Sequence, residues 1–345
     1  DASGNCLGLL VEEARTNLIS TSEALVVSSN RAIAESSLSP TGEQTAQTWR
    51  VNGSASATPY MYKEPNIVSG TTYTCSVFVR LPTSGPTVES RYIKLTSQSK
   101  IQGGTTIFDL QEGTVVSSNM LSESITPVGN GWYRISVTNI GQTSGNNFSF
   151  ILWPITDAAG SSYVISASDD GKALFETFGM QTEEGSFPTS YIPTSGSTVT
   201  RAADVASLAV SEFGYNQDQG TVVIGLKNNR GVAGALGDGT FNNDLRFGVV
   251  GSNIGRGTGS GFAKSVTTGV FSGQSKIAIG IQEDNYSSAG DGAGAEVNDT
   301  SASLPPNPVN IYIGKDYGNY LNGHIKSIQY YPLRLSNAQL QALTV

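Results

Sequence analysis

The chain has 345 residues, a formal net charge of −8 and no run of Lys or Arg, so it lacks the clustered cations that displace counterions from DNA or RNA, and nucleic acid is excluded as a partner class. Forty glycines, few charged residues and few helix formers suit many short strands joined by tight turns and exclude a helical architecture. Two cysteines and one histidine exclude a disulfide framework and a structural zinc site, and no apolar run approaches the roughly 18 residues of a membrane span.

The length suits two domains. The chain begins at Asp1 without methionine and shows no signal peptide; a fragment or processed product is expected, with an attachment or trimerising segment upstream. Residues 1–22 form a lead-in segment. Leu7, Leu9, Leu10 and Val11 precede Glu12-Glu13-Ala14-Arg15-Thr16-Asn17. There Glu12, Glu13 and Arg15 suit a charged brace against neighbouring turns, since an Arg–carboxylate pair can bond at two points. As an acid–base pair the glutamates are ill placed, because adjacent strand residues point to opposite faces.

Residues 23–194 read as a first β-sandwich. Strands are expected at 45–51, which carries Trp49, and at 72–81, 92–96, 106–110, 132–137, 148–155, 163–167 and 174–180. In 72–81, Tyr73, Cys75, Val77 and Val79 alternate with Thr74, Ser76 and Phe78, a period of two with one inner face. Cys75 is thus a buried small hydrophobe, and both thiols are expected to be free. The run 148–155 is apolar on both faces, as in a strand central to a sandwich. The stretch 178–206 carries Gly185, Pro188, Pro193 and Gly196. Proline fixes φ, lacks a donor and biases its predecessor towards extended geometry. The stretch is read as a strand running into an ordered linker between domains; a long surface loop within one domain is the alternative.

Residues 195–345 read as a second sandwich, with strands at 220–226, 245–250, 262–263, 270–271, 276–282, 309–314 and 323–331. The Gly-rich runs 231–243, 251–261 and 287–298 are expected to be hairpin loops or mobile tips. Ser336 as N-cap with Gln339 three residues on predicts a short C-terminal helix. The fold class that follows is all-β, two β-sandwich domains in series.

Three stretches carry a resemblance. Leu9-Leu10-Val11-Glu12-Glu13-Ala14-Arg15-Thr16-Asn17-Leu18, residues 179–194 (Gly-Met-Gln-Thr-Glu-Glu-Gly-Ser-Phe-Pro-Thr-Ser-Tyr-Ile-Pro-Thr) and Thr200-Arg201-Ala202-Ala203-Asp204 resemble, in this order, segments of bacteriophage tail proteins. Those are tailspikes, tail fibres and minor tail proteins that end in carbohydrate-binding β-sandwiches. Thr182 stands where related proteins often carry a hydrophobic residue. The run Gly131-Trp132-Tyr133-Arg134-Ile135-Ser136-Val137-Thr138 resembles carbohydrate-binding modules of jelly-roll type. The last strand, the Pro332–Ser336 turn and the short helix resemble the end of a concanavalin A-like (laminin G-like) lectin sandwich. The resemblance implies a structural role for Glu12, Glu13, Arg15, Asn17, Arg201 and Asp204. It also implies a homotrimer in the virion tail, acting at the host surface, with other phage tail proteins and a bacterial cell-surface polysaccharide as partners.

Sugar rings stack their C–H faces on aromatic planes, so a glycan site needs exposed rings beside polar groups. The candidates are Tyr60 and Tyr62, beside Pro59, with Trp49, Trp132 and Trp153 in the first domain, and Tyr317 and Tyr320, in a turn-rich stretch, with Phe241 and Tyr286 in the second. Core packing is the competing reading for each, and Trp132 and Trp153 are expected to be buried. Asp169 and Asp170, before Gly171, form a candidate Ca²⁺ pair, and Asp291, before Gly292, is a further candidate ligand; no other cofactor is expected. Glucanases of concanavalin A-like fold carry an E-x-D-x-x-E run that is absent here, and the adjacent pairs Glu183-Glu184 and Glu283-Asp284 do not share a strand face. Gly4-Asn5-Cys6-Leu7-Gly8 matches a G-x-C-x-G elbow without its strand–helix frame, and His324 reads as structural. The function expected is adhesion, the binding of a bacterial surface glycan without cleaving it. A tailspike depolymerase and a structural tail module are the alternatives.

Overall fold

In the computed structural model, which describes residues 3–27, 32–53, 58–88, 90–146, 150–227, 231–238, 244–248, 254–258, 261–262, 274–296 and 304–345, the alternation at 72–81 becomes the strand Thr72–Arg80. Tyr73, Cys75, Val77 and Val79 all turn inward and are buried. The chain forms two units, one built on residues 15–201 and the other on 5–14 and 202–345. Both are antiparallel β-sandwiches, so the fold is all-β.

In the first unit, sheet I runs Thr114–Ser118, Gly104–Asp109, Tyr92–Ser97, Phe150–Ile155, Met61–Lys63, Val26–Val27. Sheet II runs Ser122–Gly129, Trp132–Ile140, Thr72–Arg80, Ala173–Glu184, Ala46–Val51, Ala32–Ser37. The chain passes repeatedly between the sheets, so most neighbours are distant in sequence, a jelly-roll winding. One core fills the gap: Ile93, Leu95, Phe108, Phe150 and Leu152 from sheet I meet Trp49, Val77, Val79, Ile135, Val137 and Phe175 from sheet II. In the second unit, sheet III runs Leu9–Val11, Gly323–Tyr331, Gln219–Lys227, Gln274–Gln282, Ser287–Gly290, Ala293–Glu296. Sheet IV runs Ser207–Ala209, Asn310–Ile313, Val232–Gly237, Asp244–Gly248, Ile254–Thr258, Gly261–Phe262. Val222, Ile224, Ile277, Ile279 and Ile281 of sheet III pack on Leu236, Leu245, Phe247 and Ile311 of sheet IV.

The helix forms at Asn337–Leu343 with the expected capping box: Ser336 Oγ accepts from the Gln339 N–H, and Gln339 Oε1 accepts from the Ser336 N–H at 2.9 Å. Its Leu340 is buried with Val223, Ala278 and Ala289 on the outer face of sheet III.

Several expectations change. Segment 163–167 is not a strand: Tyr163 and Ile165 are buried two residues apart, but the chain turns at Ala167–Asp169 and takes no ladder partner there. The Gly-rich runs contain strands at Val232–Gly237, Ile254–Thr258, Ser287–Gly290 and Ala293–Glu296. Val232–Gly237, for example, is paired on both sides, by Asn310–Ile313 and Asp244–Gly248, and tertiary pairing overrides weak local propensity. Positions 148–149, 249–250, 263 and 270–271 of expected strands lie outside the described residues.

The lead-in segment is shared between the units. Leu9–Val11 adds a strand to sheet III through Gly323–Ile325, while Arg15–Asn17 pairs with Val199–Arg201 in the first unit. The stretch 185–201 is likewise part of the first unit, which ends at Arg201 and not at residue 194.

Candidate functional site

Sheet I of the first unit positions a cluster of rings on its outer face. Met61 is fully buried in the core, and with a side-chain period of two Tyr60 and Tyr62 both turn the other way. Across the ladder Tyr62 faces Ile151, and Trp153 faces Lys94. The Tyr60 and Trp153 ring centroids are 4.5 Å apart at 39°, and those of Tyr60 and Tyr62 are 5.9 Å apart at 42°. Trp153 Nε1 donates to Thr96 Oγ1 at 3.0 Å, which fixes the indole plane. The Lys94 ammonium lies 5.5 Å from the indole centroid, within cation–π range, and donates to the Gly160 carbonyl at 3.4 Å.

All these side chains are half-buried. Burial lowers the Lys94 pKa. Burial, and then Glu64 and Tyr60, raise that of Tyr62. The result is a tilted, partly dry aromatic surface with an ammonium and a hydroxyl at its edge. Such a surface can stack an apolar ring face and hydrogen-bond the ring's substituents.

Tyr60 and Tyr62 therefore come together as read from the sequence, but Trp49 does not join them. It is 2% exposed in the core, and its indole N–H donates to Thr177 Oγ1 at 2.8 Å. Trp153, expected to be buried, takes its place. The apolar run Phe150–Ile155 points Phe150 and Leu152 to the core and Trp153 to the outer face, a difference that depends on strand phase. Lys94 and Thr96 were not singled out; the signal was their alternation with Ile93 and Leu95. Trp132 is buried beneath the Arg80 guanidinium, 4.6 Å from its ring.

In the second unit Tyr317 is 63% exposed, on a turn held by Asp316 Oδ1, which accepts from the N–H groups of Gly318 and Asn319 at 3.0 and 2.8 Å. Tyr320 is half-buried, and the Lys315 ammonium lies 5.6 Å from its ring and 5.9 Å from that of Tyr312. Tyr286 is buried in the second core, and Phe241 lies outside the described residues.

The Ca²⁺ pair does not fit a metal. Asp169 accepts from the Ser166 hydroxyl and N–H and from Lys172 Nζ at 3.0 Å. Those hydrogen bonds, the Ser166 hydroxyl foremost, hold its carboxyl well below the usual range. Asp170 Oδ1 accepts from the Gly53 N–H at 2.8 Å. Both carboxylates are turn clamps, and among the described residues no group of three His, Cys, Asp or Glu side chains could hold a metal. Glu183 is likewise occupied, accepting from the N–H and hydroxyl of Thr189. Cys6 and Cys75 are both free, and burial pushes the Cys75 thiol up to about 12. Burial also lowers the pKa of half-buried His324.

The motif residues are structural clasps. In the second unit Glu12 and Asp204 exchange two bonds: the Glu12 N–H donates to Asp204 Oδ2 and the Asp204 N–H to the Glu12 carbonyl, both at 2.9 Å. Glu13 and Asn322 also exchange two bonds, here through side chains: the Glu13 N–H donates to Asn322 Oδ1 at 2.9 Å, and Asn322 Nδ2 donates to Glu13 Oε2 at 3.1 Å. The expected brace of Glu12, Glu13 and Arg15 is divided, because Arg15 belongs to the first unit. There its guanidinium covers the Phe187 ring at 4.8 Å, and Arg15 pairs with Arg201 across the ladder. A Cβ on Gly185 would come within 1.8 Å of Arg15 Nη1, and its φ of +125° favours glycine as well.

Asn17 is fully buried. Its amide N–H donates to the Ile192 carbonyl at 2.9 Å, and its Oδ1 accepts from the N–H groups of Ile19 and Thr182 at 3.1 and 3.2 Å.

No protein-family model matches the chain, and no curated protein matches it. Among solved structures, domains LG4-5 of the mouse laminin alpha1 chain align over 97% of this chain and 92% of theirs, at 10% identity and a TM-score of 0.27. The N-terminal CBM22-1-CBM22-2 tandem domain of Paenibacillus barcinonensis Xyn10C aligns over 96% and 99%, at 10% identity and 0.24. Trypanosoma rangeli sialidase with the inhibitor DANA aligns over 87% of this chain, at 13% identity and 0.30, and the chain spans 60% of that protein's length. Similarity at these scores carries no conclusion about function.

Proposed function

We propose that the chain is a receptor-binding part of a bacteriophage tail, an adhesin that binds a bacterial surface glycan without cleaving it. The observation that carries this reading is the outer face of sheet I, where Tyr60, Trp153 and Tyr62 form a half-buried ring surface beside Lys94 and Thr96. Such a surface stacks sugar C–H faces and hydrogen-bonds their hydroxyls. The tail-protein motifs support the setting, with the clasps of Asn17, Glu12 and Asp204 as their structural role. Tyr317 and Tyr320 form a second contact region in the second unit. In a homotrimer on the virion tail, acting outside the host cell alongside other tail proteins, weak single-site contacts would sum to firm attachment.

The test is incubation with host surface polysaccharide, followed by sizing of polymer and complex. The expected outcome is a complex with polymer of unchanged length, and binding weakened about tenfold or more by Trp153→Ala, or roughly 1.4 kcal/mol. New reducing ends or unsaturated sugars would instead establish a depolymerase. Binding unaffected by Trp153→Ala would remove sheet I as the site.

A further inference from the structure

The register of sheet II places Glu35 opposite Thr48, Thr48 opposite Glu176 and Glu176 opposite Arg80. One polar residue per strand thus forms a row across four adjacent strands. Their neighbours Trp49, Thr177 and Val79 are buried beneath the sheet, so the row lies on the outer face. A cavity of about 560 Å³ opens above it, lined also by Arg50 and Ser37. Arg80 and Glu176 form an ion pair there, each more than nine-tenths buried, and Thr48 Oγ1 donates to Glu176 Oε1 at 3.2 Å. Arg50 Nε donates to Glu35 Oε2 at 2.6 Å. Removing such a pair from water costs several kcal/mol per ion, and on the outer face of a sheet it gains no sandwich core in return.

The Ser37 hydroxyl in this lining is buried and makes no hydrogen bond to the protein. A second recess of about 470 Å³ shares Ser36 with the first, and the Thr45 hydroxyl in its lining is orphaned in the same way.

We propose that the larger recess, above the Glu35–Arg80 row, is a second ligand site, which takes a neutral polyhydroxylated ligand, the end of a saccharide chain, by hydrogen bonding alone. Two carboxylates and two guanidinium groups line it, so the local charge cancels: an anion would meet Glu35 and Glu176, a cation Arg50 and Arg80. The nearby Trp132 ring is covered by the Arg80 guanidinium, leaving no floor for stacking. Sugar hydroxyls, each donor and acceptor at once, match fixed carboxylates, guanidinium groups and the orphaned Ser37 hydroxyl. The volume lies within the range of roughly 300–1,000 Å³ usual for small-molecule sites.

The test uses the full chain carrying Tyr60→Ala and Trp153→Ala, which disables sheet I and separates this site from the one proposed above. Glucose, galactose, mannose, rhamnose and N-acetylglucosamine are titrated singly while the Nε–H resonances of Arg50 and Arg80 are followed by NMR. At least one sugar should shift both resonances saturably, and Glu35→Ala should weaken that binding about tenfold. Glu35 is suited to this because its side chain is 52% exposed; retained dispersion of the spectrum shows that the variant folds. If none of the sugars moves these resonances, or if sodium phosphate moves them and the sugars do not, the proposal fails.

Discussion

Both sandwiches cover the outer face of one sheet, and they do so by opposite chemistry. In the second unit the cover is apolar: helix Asn337–Leu343 places Leu340 on Val223, Ala278 and Ala289, with Leu335 and Leu343 beside it. In the first unit residues 186–194 lie as a strap over sheet II, tied by polar side chains to its backbone atoms. Gln181 Oε1 accepts from the Ile192 N–H at 2.7 Å, Glu183 Oε2 from the Thr189 N–H at 3.0 Å, and Ser22 Oγ from the Thr194 N–H at 3.0 Å.

Tyr191 adds an aromatic anchor on the sheet, with its ring 5.2 Å from Phe178 and 6.0 Å from Phe78. That ring needs Gly179, which sits at φ +57° where the register of Ala173–Glu184 shifts; a Cβ there would lie 2.8 Å from the Tyr191 ring. A helix satisfies its own backbone and can dock through side chains. An extended proline-bearing strap cannot, so its backbone groups must be satisfied by the surface it covers.

The largest test of this difference is Asn17→Ala, which strands the Ile192 carbonyl and the N–H groups of Ile19 and Thr182 together. At about 1–3 kcal/mol for each buried orphan, the first unit should lose roughly 5 kcal/mol. Hydrogen exchange should rise in 186–194 and in the Thr72–Arg80 strand, with the second unit's strands unchanged. Leu340→Ala should cost about 3 kcal/mol, read as faster exchange in the sheet III strands it covers, Gln219–Lys227, Gln274–Gln282 and Ser287–Gly290, with the first unit unchanged; a cost greater than that of Asn17→Ala would break the contrast.

Alkaline pH probes the first core through Cys75. The buried Cys75 thiol titrates at about 12 against an ordinary 9.0. The unfolded chain therefore sheds this proton first, and the stability it contributes is complete below pH 9 and lost on the way to 12. Cys75→Ala should remove about 2 kcal/mol of the decline between pH 9 and roughly 10.5, measured as the difference in urea midpoints between variant and parent. The smallest effect should come from Ser336→Ala, about 1 kcal/mol through the lost cap, seen as fraying of the helix amides with sheet III intact.

Much of this was legible in the residues because it is local. The period of two in 72–81 and the Ser336–Gln339 capping box depend on near neighbours, and both formed as read. The row of Glu35, Thr48, Glu176 and Arg80 was not legible, since each residue lies on a different strand and only the register aligns them. Trp153 was misplaced for a related reason: a run apolar on both faces does not say which face looks inward. Tyr60 and Tyr62 were readable as a pair because Met61 between them carries the inward phase.

By itself, then, the order of residues determined that this protein is built of short strands in two sandwiches, where turns fall, and that it ends in a capped helix. Backbone propensity and side-chain alternation act over a few residues, and they suffice for that. Tertiary structure alone decided that Leu9–Val11 joins one sandwich and Arg15–Asn17 the other, that the proline-rich stretch is a strap, and which rings stay at the surface. Those outcomes turn on which distant strands pair, and in what register, and pairing energy is shared between partners that neither segment contains alone.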